Sequence, residues 1–285
     1  MCILKYLLFC CVICISCSHA SLHQKQLMHA LDFSAANSKE LEKVLKHYEH
    51  DSLKLEAAKF LIRNMPHCYS YQQGGEMDSV KRVRTCYSPF GQIDQTYARR
   101  WGHYTYRNLL KIYDAHIITA EYLIDNIDRA FDNWQKRPWN RSLSFEDFCE
   151  YLLPYRIGDE PLEEWRELYE KKYGYLLDSI YKGSDVVEAA NLVSKHLQEP
   201  VFIYCEDFEL PHIGPRYLFS HRYGSCVDAA DIVTYAFRAV GIPCMEDTDA
   251  RGGHVWNVVR DTTESDVPIW YIASEAVRAP HSLRS

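Results

Sequence analysis

Apolar residues return at helical spacing along most of the chain, and the breaks between these runs carry the usual stop signals. Leu41, Val44, Leu45 and Tyr48 form a stripe on a helix that Ser38 opens. Asp51 or Ser52 opens a second helix, Leu53 to Asn64, which stops before Pro66. Residues 69–100 are irregular, with Gly74-Gly75 and Pro89-Phe90-Gly91 as turns. A longer helical pattern from Arg107 to Trp134, either continuous or with a break, ends at Pro138, and Ser144 caps a helix over Phe145 to Leu153. Asp159 or Glu160 then caps a helix with Pro161 at its first position and Leu162, Trp165 and Tyr169 as packing residues. Ser184 or Asp185 opens another that runs to Leu197. Near the end, Cys226, Ala230, Val233, Phe237 and Val240 trace one face of a helix stopped by Gly241 and Pro243. Period-two runs are fewer: Val201–Tyr204, Val255–Val259 and Ile269–Ala273 read as strands.

The order of these elements predicts an α+β protein, with a mostly helical N-terminal region packed on a C-terminal core that holds a small antiparallel sheet. The expected division is a leader at 1–17, a tether at 18–37, a helical region at 38–183 and the core at 184–285. Hydrophobic content of 47% and charged content of 25% are ordinary for a globular chain of 285 residues. A formal net charge of -7 argues against a nucleic-acid partner, which needs a basic face. The 21 tyrosines suit a helical core better than a carbohydrate surface.

Residues 1–17 read as a targeting segment. Lys5 supplies a weak positive start, and Tyr6 to Ile15 is an apolar run too short to span a bilayer as a mature helix. Cys14-Ile15-Ser16-Cys17 resembles a bacterial lipobox, with Cys14 where leucine is usual. That resemblance makes Cys17 the lipidation site and the membrane a partner through a lipid anchor. Ser18 and His19 lack the aspartate of an inner-membrane retention signal, so the expected place is the cell envelope, at the outer membrane. The cysteines beyond the leader match no zinc spacing, and no metal or organic cofactor is implied. An exported compartment permits disulfides, and Cys68–Cys86 would close a polar loop, but the sequence does not assign it.

The candidate chemistry sits at Gly224-Ser225-Cys226-Val227-Asp228. Ser225 can cap the helix, with Asp228 as its capping-box partner, so Cys226 falls in the first turn. Free amide N–H groups and the positive dipole end gather there, an arrangement that favours a thiolate. Gly252-Gly253-His254 enters a strand on which His254, Trp256 and Val258 share a face, and the imidazole is a base for the thiol. Taken singly, the cysteine is more often a buried core residue; the pair with its flanking glycines favours catalysis.

Three blocks carry a resemblance: Gly-Ser-Cys-Val-Asp-Ala-Ala, Arg238 to Pro243, and Gly-Gly-His-Val-Trp-Asn. They resemble the transglutaminase-like superfamily, and more narrowly the transglutaminase-like lipoproteins of Bacteroides-type bacteria. The resemblance implies a papain-like core whose Cys-His-Asp triad acts on amide bonds, with Cys226 as nucleophile and His254 as base. The third member departs from the pattern, because Ser274 stands four residues after Trp270 where Asp is expected. A hairpin turn centred near Glu264 and Ser265 would place Glu275 across from His254 as the substitute acid. A one-residue slip turns it away; Asp261 is the runner-up, and no acid at all is the third option. The stretch around Tyr155 and Arg156 also resembles that lipoprotein group, as a lining of a substrate cleft, though plain packing explains it better.

The expected activity is therefore acyl transfer or hydrolysis at peptide or side-chain amides, cell-wall peptides included. The alternative is an inactive transglutaminase-like module that binds peptides or glycans.

Overall fold

The structure is a computed structural model that describes residues 22–75, 77–79, 81, 106–199, 202–204, 210–250, 253–261 and 269–273. The leader with Cys17, and Cys86, Ser274 and Glu275, lie outside the described residues. Helices and small sheets are both present, in an α+β arrangement. The chain divides into two compact units: residues 1–68 with 113–123, and 69–112 with 124–285.

The first unit is helical. The stretch expected as a tether is instead an α-helix over 22–33, here α1, with Leu27 and Ala30 buried three residues apart. Leu27, Ala30 and Leu31 make a narrow apolar stripe at helical spacing, which the polar residues around it leave legible as a helix. Next come α2 (Ser38–His47) and α3 (Ser52–Asn64). Asp51 caps α3 by accepting from the Lys54 amide at 3.1 Å. Asn37 Nδ2 donates to the carbonyls of Ala115 (3.0 Å) and Ile118 (2.9 Å), tying the returning segment to this unit.

The helix expected from Arg107 begins much later. Lys111–Tyr113 is a strand (β2) paired with Tyr69–Tyr71 (β1), and the Gln72 amide donates to the Leu110 carbonyl at 2.9 Å. Those backbone groups are committed to the ribbon, so pairing overrides helical spacing. The helix proper is α4 (Ala120–Lys136), where Thr119 Oγ1 accepts from the Tyr122 amide at 3.2 Å.

The second unit is built around one helix. After α5 (Phe145–Tyr151), α6 (Arg166–Tyr175), a single π-turn (Leu176–Ile180), α7 (Val186–Leu197) and α8 (Pro215–Ser220) comes α9 (Cys226–Val240). Every residue from Ala230 to Val240 is buried, so α9 is wrapped on all sides rather than amphipathic. Helix α6 packs along it, and the rings of Trp165, just ahead of α6, and Tyr169 lie tilted on Tyr235 at 5.0 and 5.6 Å between ring centres. The expected boundary at 183/184 therefore fails, because α6 shares the core of α9.

Helix α6 itself starts at Arg166, not Pro161. Glu160 turns its carboxylate back onto the amides of Ile157 (2.7 Å) and Gly158 (2.8 Å), so it closes a turn of its own instead of capping a helix. Tyr155 and Arg156 are buried in this turn, where Arg156 donates to the Glu160 carbonyl. Both are held in place by packing and hydrogen bonds of the turn itself.

Gly241 ends α9 at φ 82°, and an added Cβ would lie 2.7 Å from the Asn133 carbonyl oxygen, so only glycine fits. Trp139 Nε1 and Asn140 Nδ2 each donate to the Gly241 carbonyl at 2.9 Å. Short strands β3 (Ile203–Tyr204) and β4 (Tyr223–Gly224) pair in parallel just before α9. After it, β5 (Cys244–Thr248), β6 (Val255–Asp261) and β7 (Ile269–Ala273) form an antiparallel sheet in the order β5-β6-β7.

Candidate active site

Cys226 is the first residue of α9, as the apolar spacing predicts. Asp228 reaches back so that its Oδ2 accepts from the Ser225 amide (2.8 Å) and from Ser225 Oγ (3.1 Å). A Cβ on Gly224 would fall 2.3 Å from that same carboxylate oxygen, which explains the glycine ahead of the turn. Cys226 is half-buried and is a free thiol. Cys244 makes a useful contrast: it is fully buried, and burial pushes its thiol up to about 12, beyond use as a nucleophile at neutral pH.

His254 stands immediately ahead of β6. Asp249 closes the connecting loop, donating its amide to the His254 carbonyl (3.2 Å) and accepting from the Gly253 amide on its carboxylate (2.7 Å). The rings of His254 and Trp256 lie 5.9 Å apart. Within β6 the pleat turns Asn257 to α9, and with it Val255 and Val259; Trp256, Val258 and Arg260 face the other way. His254 is outside the strand, so β6 sets its height along α9 and not the direction of its ring; carried one residue further, the pleat would turn it with Trp256, away from α9.

The connections set the two residues at one end of the layer. From the C-terminal end of α9 the chain reverses through Gly241–Pro243, and β5 runs back along the helix. Its partner β6 therefore starts at the helix N-terminal end. Asn257 is bonded at the level of Ala230 and Thr234. Three strand residues back to His254 cover roughly 10 Å. From the Ala230–Thr234 level back to Cys226 is roughly 6–12 Å of helix. The two residues thus stand at about the same height on adjacent elements.

The third member is not assembled in the expected way. The observed register pairs Asn257 with Ala273 and Val259 with Tyr271, one residue off the pairing that a turn centred between Glu264 and Ser265 requires. That removes the hairpin argument for Glu275, which lies outside the described residues. Asp261 is buried at the far end of β6, roughly 23 Å along the strand from His254. It cannot orient that imidazole.

A second cluster of ionisable groups lies under α9, which the residue spacing did not reveal. His212 Nδ1 donates to both oxygens of Asp231 at 2.9 Å. Asp231 is fully buried, whereas the His212 side chain keeps 23% exposure. Burial alone would lower the His212 pKa, but the charge and hydrogen bond of Asp231, helped by Glu160 and Glu246, raise it to about 10. Burial, then the Asp231 charge, holds the Glu246 carboxyl well above the carboxylate range, and burial likewise raises Asp231. The His212 ring lies flat on Gly158, whose added Cβ would come within 2.3 Å of Nε2, and the His212 amide donates to Asp159 Oδ1 at 2.9 Å. One signal could have found this cluster: Asp231 interrupts an apolar stretch, and a buried acid demands a partner. Among the described residues, no group of His, Cys, Asp and Glu is arranged to hold a metal ion.

No family model, no curated protein and no solved structure matches this chain.

Proposed function

We propose that the chain is a thiol-dependent amide hydrolase or acyltransferase of transglutaminase-like type, with Cys226 as nucleophile and His254 as its base. The observation that carries this reading is topological: the αββ connection puts the first residue of α9 and the residue ahead of β6 at the same end. In the reaction, His254 takes the thiol proton, and the sulfur bonds to the amide carbon. The C–N bond then breaks as His254 returns that proton to the leaving amine, giving a thioester. Water or a second amine releases the acyl group. The Cys226 amide, free at the helix start, is a donor for the oxyanion. For an isolated envelope protein, hydrolysis of peptides or wall peptides fits better than crosslinking. Export and lipidation at Cys17 belong to the same proposal; among the described residues no helix is long and apolar enough to cross a membrane.

The second reading, a module that binds peptides or glycans without turning them over, draws on the Ser274 departure and on the register that leaves the acid unplaced. Iodoacetamide labelling separates the two. On the enzyme reading, Cys226 labels faster than a free thiol at neutral pH, the signal vanishes in Cys226→Ser, and His254→Ala slows it roughly tenfold or more. Labelling at the free-thiol rate, indifferent to His254→Ala, leaves only the binding module.

A further inference from the structure

Catalysis by a cysteine on a helix and a histidine on a strand needs those two elements fixed along their length. Apolar packing between α9 and the sheet does not supply this by itself, because dispersion contacts are non-directional. Directional bonds do, and a buried polar contact that sets register is the best-attested use of such groups.

Such a tie is present. Asn257 is buried, and its two Nδ2 protons go to the Ala230 carbonyl (3.1 Å) and to Thr234 Oγ1 (2.8 Å). Thr234 is fully buried. Since its hydroxyl oxygen accepts from Asn257, its proton is given to Glu246 Oε1 at 3.0 Å. Glu246 lies opposite Asn257 in the β5–β6 pairing, so helix and both strands meet at one point. Beyond it, Glu246 is within hydrogen-bonding reach of Asp231, which also accepts from His212 Nδ1. The Asn257 and Thr234 donors thus run in one direction, from β6 through α9 to β5. Asn257 is one helix turn from Cys226 through the Ala230 carbonyl, and three strand residues from His254.

We infer that Asn257 and Thr234 are positioning residues that set the height of β6 on α9 and so bring the His254 imidazole level with the Cys226 sulfur. The inference rests on the proposed Cys–His reading and adds the means by which the pair is held. Neither residue touches substrate.

The test measures the pH profile of Cys226 alkylation by iodoacetamide in the full mature chain, with circular dichroism as a check on folding. The variants are Asn257→Leu, Thr234→Val and Thr234→Ser. Thr234→Val keeps shape and removes the hydroxyl, and it serves where Asn257→Leu fails to fold. Expected is a labelling rate at neutral pH about tenfold lower in Asn257→Leu and Thr234→Val, with a profile that matches His254→Ala. Thr234→Ser, which retains the hydroxyl, restores the parent profile. A parent profile that differs from a free thiol yet survives both disruptive substitutions overturns this inference and leaves the enzyme reading standing. A parent profile of an ordinary thiol, unmoved by His254→Ala, overturns both.

Discussion

Replacing Asp231 with asparagine would remove the counter-ion of His212 while keeping the shape of the site. The imidazolium–carboxylate form is the right starting state, because Nδ1 is bonded to both Asp231 oxygens at 2.9 Å and the 23% exposed ring keeps part of its hydration. Its pKa rises from 6.5 in the open chain to about 10 in the fold. At 1.36 kcal/mol per unit, that difference is at most roughly 5 kcal/mol of pH-dependent stability, and the burial that raises the Asp231 carboxyl offsets part of it without changing the sign of the pH dependence. For a group whose folded pKa is raised, the contribution is complete below pH 6.5 and disappears as pH climbs toward 10. At most about 4 kcal/mol should remain at pH 7, and almost none at pH 10.5. Urea unfolding of parent and Asp231→Asn across that range isolates the pair, since background titration of lysines and tyrosines is common to both. The stability gap should shrink by up to about 3–4 kcal/mol between pH 7 and pH 10.5. His212→Gln, which can still donate to Asp231 but does not titrate, should flatten the same component. A gap that stays constant within about 1 kcal/mol across this window would refute the ion-pair assignment.

Substitutions at two further positions probe how α9 is held. Gly158→Ala puts a Cβ 2.3 Å from His212 Nε2, and the ring is anchored on Asp231 and cannot swing aside; a loss of about 1–3 kcal/mol in urea unfolding is expected, much reduced when His212 is already alanine. Arg166 is buried and donates to Asn126 Oδ1 (2.5 Å) and to the carbonyls of Leu152 (2.6 Å), Leu153 (3.0 Å), Pro154 (3.1 Å) and Arg238 (3.1 Å). Arg166→Met leaves several of these acceptors dry and should cost about 3–5 kcal/mol in the same assay; Arg166→Lys keeps the charge without the fork and should fall between.

What could be read from the chain alone was what depends on neighbours in sequence. The stripe from Cys226 to Val240, its glycine stop and the capping of α3, α5 and α7 by Asp51, Ser144 and Asp185 all rest on groups within a few residues of each other. The failures occurred where distant backbone competed for the same groups. Lys111–Tyr113 carries helical spacing but spends its amides on β1, and Glu160 carries a capping signal but spends its carboxylate on Ile157 and Gly158. The hairpin register shifted by a single residue, an amount that turn composition does not fix and that decides which face each side chain takes.

The candidate site divides in the same way. Cys226 and its turn are local, so they were legible; the elements that bring His254 to the same height are not. His212, Asp231, Glu246, Thr234 and Asn257 come from a loop, a helix and two strands, and of them Asn257 alone belongs to a motif, as the last residue of Gly-Gly-His-Val-Trp-Asn. The only hint was thermodynamic: an acid and an amide placed where every neighbour is apolar must be satisfied by something, or the helix they lie against would not stay buried. A helix as apolar as α9 could slide against its sheet with little loss of contact. The polar chain beneath it is what makes one height preferable to another, and a two-element active site needs that preference more than it needs additional stability.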